Sequence, residues 1–159
     1  RALTGKLGTS LNEEELGRLW AALEITDAKR LTQEDPRGLA VWNGTEWPEG
    51  RGFSTGQEQR LLLAAGIYRA LDPTMHVVLL DEPTANCDAE MKTHFFSALT
   101  KSSALRRHTV LVSLHDPLYL HFFDRVLHFE KGRLVQDLQN AAEIEMYRKD
   151  IAMTLADDL

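Results

Sequence analysis

Four consecutive aliphatic residues, Val77, Val78, Leu79 and Leu80, are closed by Asp81-Glu82-Pro83. None of the four is polar, so neither face of the segment is written for water. The run reads as a short strand buried on both faces, the kind found in parallel sheets covered by helices. Its neighbours agree with that reading. A helix is expected from about Asp88, with Met91, Phe95, Ala98 and Leu99 as its inner stripe, and Thr109 to Val112 is a second β-branched run ended by Ser113-Leu114-His115-Asp116. Buried strands alternating with helices predict an α/β fold with a largely parallel sheet.

Further along, Arg125 to Phe129 and Arg133 to Val135 flank Glu130-Lys131-Gly132 and predict a hairpin, and an amphipathic helix is expected from about Asn140 towards Ala156. The first half is different in kind. Asn12 followed by Glu13, Glu14 and Glu15 reads as a capped helix start, with Leu16, Leu19, Trp20 and Leu23 as one buried stripe. A second helix is predicted over Gln57 to Leu71, with Leu61, Ala64, Tyr68 and Leu71 on one face. Between the two helices the chain carries Pro36, Gly38, Gly44, Pro48, Gly50 and Gly52, a loop region with Trp42 and Trp47 to pin it. A boundary near Leu71 therefore divides a helical part, residues 1–71, from an α/β part, residues 72–159.

Composition excludes several classes. A net charge of -6 argues against wholesale binding of nucleic acid or anionic lipid, and the short basic cluster Arg106-Arg107-His108 reads as a solvated loop. No apolar run approaches the ~20 residues of a membrane-spanning helix, and no secretory signal is visible. The chain opens at Arg1, so it is expected to be processed or to be an excerpt. Cys87 is the single cysteine, which rules out an internal disulfide and a cysteine-based zinc cluster and suits a reducing compartment. Nothing near Cys87 in sequence favours its thiolate, so it is expected to serve in packing.

Ligands of parallel α/β sheets bind outside the carboxyl ends of the strands. Asp81 and Glu82 close one such strand, and neighbours in extended backbone point to opposite sides, so the two carboxylates can do different jobs. His115 lies at the end of the next strand. Ser54-Thr55-Gly56 stands at the mouth of the second helix, where it either caps the helix or meets an anion at the positive end of the dipole. Each feature alone has a plain explanation: a strand emerging into solvent, a histidine bonded to backbone, a helix cap. Their order along the chain narrows the choice.

F-S-T-G-Q-E-Q-R, from Phe53 to Arg60, resembles the signature L-S-G-G-Q-x-Q-R of ABC-type ATPases. V-V-L-L-D-E-P-T resembles that family's Walker B strand and the acid after it, A-N-C-D its D-loop, and V-L-V-S-L-H-D its switch-histidine strand, all in the family's order. The resemblance runs from about Leu11 to Val135 and implies the C-terminal part of a P-loop NTPase nucleotide-binding domain. It implies ATP and Mg²⁺ as ligands. Ser54, Thr55, Gly56 and Gln57 become ATP-binding residues that reach a nucleotide held by an opposing nucleotide-binding domain. Asp88 becomes part of the loop joining the two ATP sites. Asp81 becomes the metal-holding residue, Glu82 the residue that polarises the attacking water, and His115 the contact to the γ-phosphate.

The pattern is incomplete. No strand followed by G-x-x-x-x-G-K-[ST] occurs; Gly5-Lys6 is followed by Leu7 and reads as a loop pair. Without the strand that carries such a loop, the chain is expected to expose sheet edges and to be inactive by itself. Thr55 stands where the family has glycine, and Asn86-Cys87 where it has a small residue and leucine. The first function this implies is an ATP-hydrolysing domain of an ABC transporter, dimeric, partnered by transmembrane domains at the cytoplasmic face of a membrane. The alternatives are a soluble non-transport ATPase of the same type, acting in DNA repair or translation, and a degenerate regulatory half-site. The absence of basic surfaces and coiled-coil insertions weighs against a nucleic-acid partner.

Overall fold

The computed structural model describes residues 11–34 and 53–157. The readings of Gly5-Lys6 and of the tryptophan-bearing segment lie outside them. The described chain divides into two compact units, the first ending at Ser113 and the second beginning at Leu114.

The first unit opens with α1, Glu13–Ile25. Asn12 starts it for a local reason: its Oδ1 accepts from the Glu15 amide at 2.8 Å while Glu15 Oε2 accepts from the Asn12 amide at 3.0 Å. That reciprocal pair satisfies two amides the first turn leaves open. Asp27, in left-handed backbone at φ 51°, turns the chain into the short α2, Lys29–Glu34. Helix α3, Thr55–Ala70, packs on α1. The core between them draws on Leu19, Ala22, Leu23 and Ile25 together with Leu61, Ala64 and Ile67. Each large aliphatic side chain buried this way contributes about 1.5–3 kcal/mol. Arg18 adds an outer tie, donating from Nη1 to Asp72 at 2.9 Å just past α3, with its guanidinium 5.4 Å from the centre of the Tyr68 ring.

Two expected stripes are rotated. Leu16 is exposed rather than buried, because the buried line of α1 runs through Glu15, Leu19 and Ala22 and leaves Leu16 on its flank. In α4, Ala89–Lys101, Phe96 is fully buried whereas Ala98 is half-buried, so the inner arc is centred nearer Phe96 than the sequence suggests.

Strands β1, Val77–Asp81, and β2, Thr109–Ser113, pair in parallel, in register from Val77 opposite Thr109 to Asp81 opposite Ser113. The expectation of a strand buried on both faces is corrected here. Val78 is buried, but Val77 and Leu79 are 59% and 74% exposed and Leu111 opposite is 47% exposed. Alternate residues share a face, and the face carrying Val77, Leu79 and Leu111 is uncovered by any described residue. Asp81 and Ser113 close that same face.

The second unit is built on a hairpin. Strands β3, Val126–Glu130, and β4, Arg133–Leu138, pair antiparallel. Lys131 and Gly132 make the two-residue turn with φ of 47° and 76°, the positive values such turns require and glycine supplies freely. Across the other end Arg125 forks onto Asp137, Nε to Oδ1 at 2.8 Å and Nη2 to Oδ2 at 2.7 Å. Helix α5, Ala141–Asp157, packs on the 3₁₀ turn Pro117–Phe122, with Ile144 and Tyr119 buried.

Candidate functional site

The carboxyl end of the parallel pair gathers three polar residues. Asp81 is the last residue of β1 and is exposed. Its Oδ1 accepts a hydrogen bond from Ser113 Oγ at 2.6 Å, and the same oxygen of Ser113 accepts from the Glu82 amide at 2.8 Å. Glu82 itself has left the strand: its φ is +42°. The expectation that Asp81 and Glu82 are neighbours in extended backbone, pointing to opposite sides, is corrected at Glu82, which is not extended. The chain bends at Glu82 into the buried Pro83-Thr84 turn, where the Ala85 amide donates to the Glu82 carbonyl at 3.1 Å.

Among the described residues no group of three or more His, Cys, Asp or Glu side chains is placed to hold a metal by itself. Mg²⁺ does not require one. It keeps several waters and takes one or two carboxylates beside the oxygens of a phosphate ligand. Asp81, exposed, with Oδ1 fixed by Ser113 and Oδ2 left to accept, has the hard oxygen donor such an ion takes.

At the mouth of α3, Ser54 is the N-cap, and it shares reciprocal bonds with Gln57. Ser54, Thr55 and Gly56 are all exposed. A methyl group built on Gly56 would touch nothing within 4 Å. Glycine in a helix costs about 1 kcal/mol relative to alanine, and no packing within the described chain asks for it.

Asp88 caps α4, its Oδ1 accepting from the Met91 amide at 2.8 Å. It also lines an open polar cleft of about 230 Å³ with Asp27, Arg60, Glu90, Met91 and His94. Arg60, the last residue of the F-S-T-G-Q-E-Q-R stretch, donates to Asp27 at 2.7 Å inside this cleft. The structure thus places Asp88 beside Arg60 of α3, the helix that Ser54 caps. Cys87 is half-buried, and burial pushes its thiol above the usual range, in keeping with packing rather than reactivity.

His115 is exposed and belongs to the second unit. Strand β2 stops at Ser113, so His115 lies in the connection that follows and not on the strand end itself. After it, Asp116 caps the 3₁₀ turn by accepting from the Leu118 amide at 3.0 Å.

In the sequence Ser113 stands only as part of a strand end. Its bonding to Asp81 and Glu82 needs the register of two strands, which the order of residues does not state.

No protein-family model matches the chain. Curated relatives do. The phosphonates import ATP-binding protein PhnC 1 of Cupriavidus metallidurans is 34% identical over 108 residues, which is 67% of this chain and 37% of that protein. The ATP-dependent lipid A-core flippase of Paraburkholderia xenovorans is 30% identical over 122 residues, 77% of this chain and 19% of that protein. The chain therefore spans well under half the length of either. Among solved structures, a bacterial Atm1-family ABC exporter with ATP bound superposes with a TM-score of 0.65 at 20% identity, covering 99% of this chain and 25% of that one.

Proposed function

Because the chain belongs to the ABC-type ATPases and matches part of their ATP-binding domain, we propose that it supplies the hydrolytic edge and the signature lid of ATP sites in a transporter. The observation that carries this reading is the end of the parallel pair. Asp81 closes the exposed sheet face, and Glu82 follows it in left-handed backbone at φ +42°. That is the position where ligands of parallel sheets bind, and it offers two carboxylates with separate tasks. Asp81 would hold Mg²⁺, which would supply charge neutralisation at the phosphates. Glu82 orients and polarises the attacking water, and His115 contacts the γ-phosphate as its charge redistributes.

Ser54 and Gly56 meet the γ-phosphate of ATP held by a second nucleotide-binding domain, with Thr55 and Gln57 in the same ATP-binding stretch. The exposed helix mouth supports this, since its dipole and amides favour an anion. Gly56, which packing among the described residues does not require, leaves room for close approach. Asp88, in the cleft with Arg60, belongs to the loop linking the two ATP sites across the dimer. Residues 1–71 form the helical subdomain in this reading and residues 72–159 the C-terminal part of the core. The phosphate-cradling loop comes from another segment. Among the described residues no helix is long and apolar enough to cross a membrane, and the transmembrane partners are separate segments or chains that place the domain at the cytoplasmic face.

The test is Glu82→Gln in the full-length protein. ATP binding persists and turnover falls about a hundredfold or more, the usual loss when a positioned base is removed. Unchanged turnover would overturn the role of Glu82 and the hydrolytic reading.

A further inference from the structure

We propose that Ser113 is the positioning residue for both carboxylates of the hydrolytic edge, locking Asp81 through its side chain and Glu82 through its backbone with one hydroxyl. The proposal deepens the ATPase reading and rests on it.

A serine hydroxyl has one proton to give and two lone pairs to accept with. Here the proton goes to Asp81 Oδ1 at 2.6 Å, and a lone pair takes the Glu82 amide at 2.8 Å. The first bond is charge-assisted and short, which fixes the rotation of the carboxylate. It commits Oδ1 and so decides which oxygen of Asp81 is offered to a cation. The second bond acts on a backbone that needs holding. Glutamate at φ +42° is in a region that suits glycine and persists where surroundings impose it. The residue before a proline is also biased towards extended backbone, and Glu82 precedes Pro83. Two local preferences thus oppose the bend, and the Ser113 hydroxyl grips the amide at its start.

The register explains why position 113 does this. Ser113 stands directly opposite Asp81 in the parallel pair, on the same sheet face. Its hydroxyl reaches the side chain opposite and the amide one residue on. Valine at this place would suit a strand at least as well but would leave both groups without this partner.

The experiment compares Ser113→Thr with Ser113→Val in the full-length protein, since the two side chains share a shape and differ in the hydroxyl. Glu82→Gln is carried as the control. Threonine should keep at least about half of kcat, whereas valine should lose about tenfold in kcat with the KM for ATP changed less than about twofold. A second readout does not depend on turnover. Hydrogen exchange at the Glu82 amide, read at residue resolution, should be about tenfold faster in the valine variant than in the wild type or the threonine variant. If valine fails to fold, Ser113→Ala takes its place with the same expectations. Valine or alanine behaving as threonine in both readouts, with Glu82→Gln inactive, would overturn the assignment of Ser113 alone. Undiminished turnover in Glu82→Gln would overturn the hydrolytic reading and this assignment with it.

Discussion

The amide of Ser54 donates to Gln57 Oε1 at 2.9 Å, and the amide of Gln57 donates back to Ser54 Oγ at 3.3 Å. This exchange settles how α3 begins, and it looks at first like a complete account of the serine. The bookkeeping of its hydroxyl says otherwise. The cap uses Ser54 as an acceptor, which leaves its proton to donate outward. A phosphate oxygen wants a donor. Capping the helix and meeting a phosphate are therefore compatible tasks of one side chain, handled by different parts of it.

That division can be separated by substitution. Aspartate caps as well as serine does, so Ser54→Asp should change folding stability by less than about 0.5 kcal/mol, whereas Ser54→Ala should cost about 1 kcal/mol. Aspartate has no proton to donate at neutral pH and carries the wrong charge for a phosphate. ATP turnover of the full-length protein should then fall about a hundredfold in Ser54→Asp. Denaturant titration and a steady-state ATPase assay check the two halves. Full turnover with aspartate at position 54 would remove the phosphate role and leave the cap.

The face of β1 and β2 that no described residue covers makes a second prediction. Val77, Leu79 and Leu111 form an exposed apolar surface on a two-stranded sheet. Such a surface promotes association when nothing covers it. The isolated 159-residue chain should self-associate, and Leu79→Gln should reduce that association while changing folding stability by less than about 0.5 kcal/mol. Sedimentation velocity and a denaturant titration are the measurements. Association that ignores this substitution would place the contact elsewhere.

Much of the fold can be read along the chain because its signals are local. Asn12 and Ser54 each precede a helix with the partner three residues on, and Lys131-Gly132 marks its turn directly. Helix α2 is harder to see, since six residues are too few to establish a period. The exposure of Leu79 was invisible for a different reason: an apolar run states that a face needs cover without stating whether the covering element lies in the same chain. The site divides in the same way. Asp81, Glu82 and Asp88 stand out as acids at the ends of an apolar run and a helix. The grip of Ser113 depends on a partner 32 positions away, and the bend at Glu82 runs against what a following proline suggests.

The third prediction concerns acid stability, through the tie between α1 and the end of α3. Asp72 accepts from the Thr74 hydroxyl at 2.7 Å, from the Thr74 amide at 3.0 Å and from Arg18 at 2.9 Å. Thr74's hydroxyl and amide, then Arg18, hold its pKa down at about 2. A carboxylate depressed in the folded state binds protons more readily when unfolded. Its contribution is therefore fully present above the unfolded value near about 4 and is lost as pH falls through the folded value near about 2. Asp72→Asn should be less stable than the wild type at neutral pH. The gap should begin to narrow below about pH 4 and be largely closed near about pH 2, as the wild-type carboxyl takes up its proton. Denaturant titrations of both proteins across that range read the gap directly. A gap that stays constant down the acid limb would mean that Asp72 acts through shape and neutral hydrogen bonding, and that its charge contributes nothing to the joint between the two helices.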